Sequence, residues 1–200
     1  MNYYHDIITE KSWQKLQKLR RLYNFILIGG WAVYIYTKSL KSKDIDFICD
    51  YETLQKLKES YDLVKNDRLK KYEIHAGEFD IDIYTPFFSD LGIPVEDLIK
   101  LTREVQGFTV LAPEALLILK QIAYKNREGS EKGDKDKIDI IALLNGVIDI
   151  ARYRDLLKHY GLTEYRQQLK NIFKETRRVP ELDLSEHAFA NLKKTVLGQL

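Results

Sequence analysis

Residues 25–50, FILIGGWAVYIYTKSLKSKDIDFICD, contain the pattern that decides the fold of this chain. The apolar run at residues 25–28 predicts a buried strand, and the glycine pair Gly29-Gly30 lets the backbone turn sharply with no side chain in the way. A helix that opens near Trp31 would present free backbone N–H groups and the positive end of its dipole at this turn. The order of strand, glycine pair and helix therefore predicts a turn that can bind phosphate.

Two aspartates, Asp44 and Asp46, follow within the same stretch, one residue apart. Their run, DIDFI, predicts a strand on which both carboxylates point to the same face, about 7 Å apart. Two carboxylates on one face can share divalent metal ions, the usual apparatus of phosphoryl and nucleotidyl transfer. Either motif alone is commonplace, because glycine pairs mostly make turns and aspartates mostly face solvent. The prediction therefore rests on the order of the motifs.

The composition excludes several classes of protein. The chain has 200 residues, 44% of them hydrophobic and 31% charged, which is enough to bury a core. The net charge of +2 excludes a polycation that coats nucleic acid by overall charge. The single cysteine, Cys49, excludes a disulfide framework and a cysteine-based zinc site. With no signal peptide and no apolar run of membrane-spanning length, the sequence predicts a cytoplasmic protein with no membrane association.

The first half of the chain predicts a mixed β-sheet with flanking helices, which is an α+β arrangement. The expected helices cover residues 8–23, 52–60 and 95–101. The expected strands beyond the opening stretch cover residues 61–64, 72–75, 79–84 and 106–111.

The second half changes to helical periodicity and predicts a C-terminal helical lobe. The charged, glycine-containing segment at residues 128–137 predicts a surface loop. The expected helices cover residues 114–126, 136–144, 150–160, 163–176 and 185–197. We therefore divide the chain into a catalytic core at residues 1–112 and a helical lobe at residues 113–200.

The opening stretch resembles the nucleotidyltransferase superfamily, which has the DNA polymerase beta-like fold. The resemblance lies in Gly29-Gly30, in Asp44 and Asp46 with their apolar neighbours, and in the GGWA start of the helix. That start is similar to antibiotic nucleotidyltransferases and to the minimal and AbiEii-type enzymes of toxin-antitoxin systems. The resemblance implies an α+β core, two Mg²⁺ ions (or Mn²⁺), and a nucleoside triphosphate such as ATP as substrate.

The family pattern also implies a third carboxylate on a neighbouring strand, here FDIDIYTP at residues 79–86. Asp80 and Asp82 share one face of that strand, so geometry alone leaves both open. The run DIYTP is similar to the third-carboxylate strand of archaeal CCA-adding enzymes. That resemblance implies Asp82 as the third metal ligand and catalytic carboxylate, with Asp80 as the alternate.

Further nucleotide-binding residues follow from the same resemblance. Ser42 and Lys43 match the family pattern before the aspartate pair, whereas Gly30 and Leu40 stand where many relatives carry a phosphate-binding serine and arginine. Lys38 or Lys41 is a candidate for the missing cation.

In the second half, Lys120 and Arg127 project from one helical face and would neutralise triphosphate charge. The alternative for Arg127 is a solvated basic face. Asp136 and Asp139 are interpreted as a helix N-cap and as structural partners of these cations.

These features together predict a metal-dependent nucleotidyltransferase that moves a nucleoside monophosphate to a hydroxyl. The acceptor would be an RNA 3′ end or a protein, with an antitoxin or toxin as partner. An antibiotic nucleotidyltransferase is the alternative within the enzyme class. Outside that class, the sequence is also compatible with a non-catalytic nucleotide- or RNA-binding module on the same fold, and with a structural α+β protein that has a solvated acidic face.

Overall fold

The computed structural model describes residues 2–200, with side chains described from residue 6 onward. Met1, the first residue of the predicted catalytic core, lies outside them. The described helices, in chain order, are α1 (Asn2–Leu22), α2 (Gly29–Thr37), α3 (Tyr51–Ser60), α4 (Val95–Leu98), α5 (Pro113–Arg127), α6 (Glu131–Leu144), α7 (Ile150–His159), α8 (Tyr165–Glu175) and α9 (Glu186–Gln199). The strands are β1 (Ile26–Ile28), β2 (Ile45–Ile48), β3 (Leu63–Asn66), β4 (Lys71–His75), β5 (Asp80–Tyr84), β6 (Thr102–Val105) and β7 (Phe108–Leu111).

The chain divides into two compact units. The first, called the sheet unit below, comprises the residues up to Ile35 together with Lys41–Leu111. The second, called the helical unit, comprises Tyr36–Leu40 together with Ala112–Leu200. The predicted α+β class with a mixed sheet is confirmed, because seven strands form one sheet in the order β3-β4-β5-β2-β1-β7-β6. The pairs β1–β7 and β2–β5 are parallel and the others antiparallel.

Apolar side chains on the central strands build the core of the sheet unit. Leu27, Phe47, Ile81, Ile83 and Val110 are all fully buried. These residues alternate with polar ones on β2 and β5, so one face of those strands is apolar while the other carries carboxylates.

Helix α1 packs against α2 through tryptophans. The Trp31 Nε1–H donates a hydrogen bond to Ser12 Oγ at 2.9 Å, and the Trp13 and Trp31 rings lie 5.0 Å apart. Trp31 and Leu16 are buried, so this contact fixes the helix that follows the glycine pair.

A buried polar contact links three helices in the second unit. Gln121 on α5 donates to the Tyr165 carbonyl at 2.8 Å and accepts from the Tyr153 hydroxyl at 2.6 Å. Both interactions satisfy side chains that would otherwise be buried without partners, and they tie α5 to α7 and α8.

The predicted loop at residues 128–137 is wrong over most of its length, because α6 begins at Glu131. The N-cap is Ser130, whose Oγ accepts from the Gly133 N–H at 3.1 Å, so Asp136 lies inside the helix and caps nothing. Gly133 is a helix residue here: a Cβ on it would stand 3.0 Å from the Arg127 carbonyl carbon. The glycine therefore marks a close backbone approach, which sequence alone does not distinguish from a loop.

The predicted strand at residues 106–111 is also wrong at its start. Gln106 and Gly107 have φ values of 52° and 76° and form the turn of a hairpin between β6 and β7. Positive φ at both central residues is typical of the turn that joins two-residue hairpins. The sequence pattern does not predict β6, and the expected helix at residues 95–101 is the shorter α4.

No helix among residues 2–200 combines the length and the apolar character that crossing a membrane requires.

Candidate functional site

The glycine turn between β1 and α2 lies directly against an aspartate. Gly29 has φ +67°, a conformation that side chains with a Cβ rarely adopt. Its predecessor Ile28 is paired with Asp46 on β2. A Cβ on Gly29 would stand 2.6 Å from Asp46 Cγ and 2.7 Å from its Cβ. Glycine is therefore required here both by the backbone conformation and by the space that Asp46 occupies.

Helix α2 begins at Gly29 itself, two residues earlier than the sequence predicts. The first four N–H groups of a helix lack partners within it, and they carry the positive end of the dipole. Gly30 is buried in this first turn. The helix N-terminus and the Asp46 carboxylate thus belong to one small region of the sheet unit.

Three carboxylates form one cross-strand row on the polar face of the sheet. Asp46 on β2 is paired with Asp82 on β5, and Asp82 is paired with Glu73 on β4. Paired residues on neighbouring strands point to the same face, and the strands lie about 4.8 Å apart. Asp44, just before β2, accepts a hydrogen bond from the Asp80 N–H at 3.3 Å. The predicted aspartates are therefore brought together at one place.

The two candidates for the third carboxylate differ in surroundings. Asp82 is in register with Asp46, and its side chain is 17% exposed. The Asp80 side chain is 53% exposed and lies 2.8 Å from His75 Nδ1. This geometry favours Asp82 as the partner of Asp46.

Lys71 occupies the space between two carboxylates of the row. Its Nζ lies 2.6 Å from Asp82 Oδ2 and 2.8 Å from Glu73 Oε1, and its side chain is 13% exposed. Asn66 on β3 donates to Glu73 Oε2 at 3.1 Å. Within the described residues Asp82 Oδ1 is buried and has no hydrogen-bond partner. Lys71 thus neutralises one oxygen of Asp82, while the other oxygen is a buried acceptor that receives no hydrogen bond from the described residues.

The titration of this cluster follows from burial and from the ammonium. Burial raises the pKa of Asp82 above its ordinary value, against the opposing effect of Lys71. Burial alone would lower the pKa of Lys71, but its hydrogen bonds to Asp82 and Glu73 raise it overall. The hydrogen bond from Lys71 lowers the pKa of Glu73. Lys71 and Glu73 are therefore both charged at neutral pH.

The donor chemistry of the row fits a hard divalent cation. Mg²⁺ and Mn²⁺ prefer carboxylate oxygens, and the unbonded Asp82 Oδ1 is a buried acceptor beside Asp46. Among the side chains that the structure describes, from residue 6 onward, no three from His, Cys, Asp or Glu converge closely enough to form a complete ligand set. The structure thus brings Asp46 and Asp82 side by side on neighbouring strands, with Asp44 just before β2.

The segment between α2 and β2 carries the remaining predicted phosphate ligands of the sheet unit. Ser42 is 5% exposed, whereas Lys43 faces solvent. Lys41 lies 3.6 Å from Glu10, in an exposed ion pair. The exposed Lys43 is the better placed of the two lysines to meet a dissolved anion.

Lys120 and Arg127 are engaged in ion pairs within the helical unit. Lys120 Nζ lies 3.1 Å from Asp136 Oδ1 and 2.6 Å from Asp139 Oδ2. Arg127 Nε lies 2.5 Å from Asp136 Oδ2. The interpretation of both aspartates as structural partners of these cations is confirmed, and nucleotide binding by Lys120 and Arg127 stays a prediction.

Lys71 and Glu73 are the site residues that sequence reasoning missed. The signal is present in the run KYEIH, where Lys71, Glu73 and His75 alternate with Tyr72 and Ile74 and so share one strand face. Their meaning depends on the register with β5, which the sequence does not provide.

Comparisons with known proteins find the fold in solved structures. No family model matches the chain, and no curated protein matches it. The crystal structure of a candidate nucleotidyltransferase from H. pylori is similar to it with 15% identity and a TM-score of 0.54, covering 96% of this chain and 94% of that one. JHP933 from Helicobacter pylori is 16% identical with a TM-score of 0.49, covering 94% of this chain and 91% of that one.

An antigenic nucleotidyltransferase-like protein from Paracoccidioides brasiliensis is 17% identical with a TM-score of 0.43, covering 88% of this chain and 96% of that one. The fold assignment rests on the first of the three, whose TM-score exceeds one half and whose coverage is nearly complete in both directions. The chain therefore has the same fold as the candidate nucleotidyltransferase from H. pylori.

Proposed function

We propose that this protein is a metal-dependent nucleotidyltransferase that moves a nucleoside monophosphate from a triphosphate to a hydroxyl acceptor. One observation carries the proposal: Asp46 lies between the Gly29 turn on one side and Asp82 on the other. A turn followed by a helix N-terminus is suited to phosphate oxygens, and paired carboxylates are suited to the cations that accompany a triphosphate. The two halves of such a site are thus adjacent in one unit.

Each predicted site residue in the sheet unit has a role in this proposal. Asp44, Asp46 and Asp82 would hold two Mg²⁺ ions, or Mn²⁺. When bound, these ions would supply charge neutralisation for the reacting phosphates and would activate the acceptor hydroxyl. The N–H groups at Gly29 and Gly30 would bind triphosphate oxygens, with Ser42 and Lys43 as further ligands. Catalysis would then consist of positioning and electrostatic stabilisation.

The acceptor is proposed to be an RNA 3′ end or a protein hydroxyl, in a toxin-antitoxin setting that the GGWA start of α2 favours. An antibiotic acceptor is the alternative within the same chemistry. Lys120 and Arg127 are retained as predicted triphosphate ligands, although their ion pairs favour a structural role.

The test is Asp46→Asn, incubated with Mg²⁺, each labelled nucleoside triphosphate, total RNA and cell lysate. We expect wild-type protein to label one class of macromolecule and the variant to label none, because the amide cannot supply the charge that a shared cation requires. Asp62→Asn, at an exposed aspartate outside the row, is the matched control and should label as the wild type does. Wild-type turnover in Asp46→Asn would contradict the proposal.

Calorimetry with Mg²⁺ and triphosphates separates the enzyme from a protein that keeps only the fold. Metal-dependent triphosphate binding that Asp46→Asn abolishes would support the site. Triphosphate binding without any labelled acceptor would instead indicate a nucleotide-binding module. No metal-dependent binding at all would indicate a structural or interaction protein.

A further inference from the structure

Lys71 is placed where a cation is needed in the carboxylate row. Glu73 and Asp82 are direct cross-strand partners, and like charges directly opposite on antiparallel strands destabilise a sheet. The Lys71 ammonium lies within 2.8 Å of one oxygen of each, so it relieves that repulsion.

The two carboxylates that share Lys71 differ in their other partners. Glu73 is held from its far side by Asn66, at 3.1 Å, and lies at the β4 end of the row. Asp82 lies between Glu73 and Asp46, and among the described residues its Oδ1 accepts no hydrogen bond. Both oxygens of Glu73 thus have partners among the described residues. Asp82 Oδ2 is bound by Lys71, whereas Oδ1 is left for the proposed metal site.

We propose that Lys71 is the resident counter-ion of Asp82, that a divalent cation competes with it for this carboxylate, and that Glu73 retains the ammonium when the cation binds. This inference rests on the proposed function, because it concerns the same Asp46–Asp82 pair. Lys71 is a positioning residue here: it sets the charge and the orientation of Asp82.

Two physical features support the replacement of the Lys71 ammonium on Asp82 by a divalent cation. A lysine ammonium sits on a flexible four-carbon stem, so it can leave one carboxylate while it keeps a hydrogen bond to another. A divalent cation on Asp82 would also stand within a few ångströms of the ammonium, and that like-charge repulsion lowers metal affinity as long as Lys71 stays on Asp82.

The test measures Mn²⁺ binding in the absence of nucleotide, by calorimetry and by electron paramagnetic resonance, on the full chain. Lys71→Met removes the competing charge while it keeps the apolar stem, so we expect Mn²⁺ affinity to rise at least about tenfold. Glu73→Gln removes the retaining carboxylate, so the ammonium stays on Asp82 and Mn²⁺ affinity should fall. Lys70→Met, at the exposed neighbouring lysine, is the matched control and should change affinity by less than about twofold.

Thermal unfolding gives a second readout. Lys71→Met leaves Glu73 and Asp82 facing each other unneutralised, so its melting temperature without metal should be lower than that of the wild type. Because a ligand stabilises the state that binds it, saturating Mn²⁺ should raise the melting temperature of Lys71→Met by more than that of the wild type. Circular dichroism checks that the variant is folded, and Glu73→Gln supplies an independent test if it is not.

The outcomes separate this inference from the proposed function. If the wild type binds Mn²⁺ through Asp46 and folded Lys71→Met binds it no more tightly, the counter-ion role is wrong and the metal site stands. The same holds if Glu73→Gln binds Mn²⁺ more tightly than the wild type. If neither the wild type nor Lys71→Met binds Mn²⁺, the proposed metal-dependent function fails, and the inference fails with it.

Discussion

Each unit of the protein contains a lysine that bridges two carboxylates, and the two clusters differ in burial. Lys71 lies 2.6 Å from Asp82 in the sheet unit, and Lys120 lies 2.6 Å from Asp139 in the helical unit. The Asp82 side chain is 17% exposed, whereas the Asp139 side chain is fully buried. A lysine–aspartate ion pair therefore occurs twice in the protein, once with a partly exposed aspartate and once with a fully buried one.

The balance of charge separates the two clusters further. In the helical unit, two cations meet two carboxylates, since Arg127 joins Lys120 on Asp136. In the sheet unit, Lys71 contacts two members of a row that contains three carboxylates. A balanced, buried cluster is suited to holding helices together, whereas an acidic row that solvent reaches is suited to receiving a cation.

The largest expected effect is on stability and comes from Lys120→Met. Removing one partner of a buried ion pair leaves the carboxylates without their counter-ion, which costs about 3–5 kcal/mol. Lys71→Met should cost less, about 1–3 kcal/mol, because Asp82 and Glu73 keep partial access to water. Urea unfolding followed by circular dichroism measures both.

The matched control for both variants is Lys125→Met. Lys125 lies on the same helix as Lys120, but its side chain is 57% exposed and its ion pair with Glu164 is 3.9 Å long. Its loss should change the unfolding free energy by less than about 0.5 kcal/mol. Equal losses for Lys71→Met and Lys120→Met would show that the two clusters do not differ in the way that their burial suggests.

Two glycines extend the comparison of the clusters, because Gly29 lies against Asp46 and Gly133 lies against the backbone of Arg127. Gly29→Ala would place a methyl group against Asp46 at a backbone φ of +67°, so we expect a loss of about 1–3 kcal/mol and impaired Mn²⁺ binding. Gly133→Ala would push on the Arg127 backbone, so it should destabilise the protein by a similar amount while Mn²⁺ affinity stays unchanged. Urea unfolding and Mn²⁺ calorimetry on both variants give the comparison.

Gly77→Ala controls for backbone conformation alone. Gly77 has φ +81°, and a Cβ there would meet nothing within 4 Å. This variant should lose about 1 kcal/mol, with Mn²⁺ binding intact. If Gly29→Ala behaves in the same way, the close approach of Gly29 to Asp46 does not affect cation binding at the proposed metal site.

The parts of the site that are local in sequence could be predicted, and the parts set by strand register could not. The turn at Gly29 and the spacing of Asp44 and Asp46 are short-range patterns with a direct chemical meaning. The choice between Asp80 and Asp82 depends on the pairing of β5 with β2, two strands more than 30 residues apart. Because both residues share one strand face, periodicity alone could not separate them.

The missed elements have equally specific causes. In α6, the glycine that indicates a loop is a close backbone approach at Gly133. Of the charged residues around it, Glu131, Lys132 and Asp134 form a solvated helix face, whereas Asp136 is buried in ion pairs. The hairpin turn at Gln106 is not predicted from the sequence, because glutamine is not among the residues, Asn, Asp and Gly, that are typical of the first position of such a turn. The Gly133 contact is with a residue only six positions earlier, whereas residues distant in sequence hold the turn at Gln106: Arg20 donates to its carbonyl at 3.0 Å, and its side-chain amide donates to the Ile35 carbonyl at 3.1 Å.

The smallest expected effect comes from Asp80→Asn, which tests the choice of third carboxylate. The hydrogen bond from His75 to Asp80 raises the pKa of this exposed histidine above 6.5, so their ion pair is present below pH 6.5 and is lost as the pH rises through the raised value. In Asp80→Asn, the pKa of His75 should fall back toward 6.5, as measured by NMR titration, while Mn²⁺ affinity changes by less than about twofold. Asp82→Asn should instead weaken Mn²⁺ binding at least about tenfold and leave the pKa of His75 unchanged. If Asp80→Asn weakens Mn²⁺ binding at least about tenfold while Asp82→Asn changes it by less than about twofold, the third carboxylate is Asp80. The more exposed aspartate would then bind the cation, even though Asp82 is the one in register with Asp46.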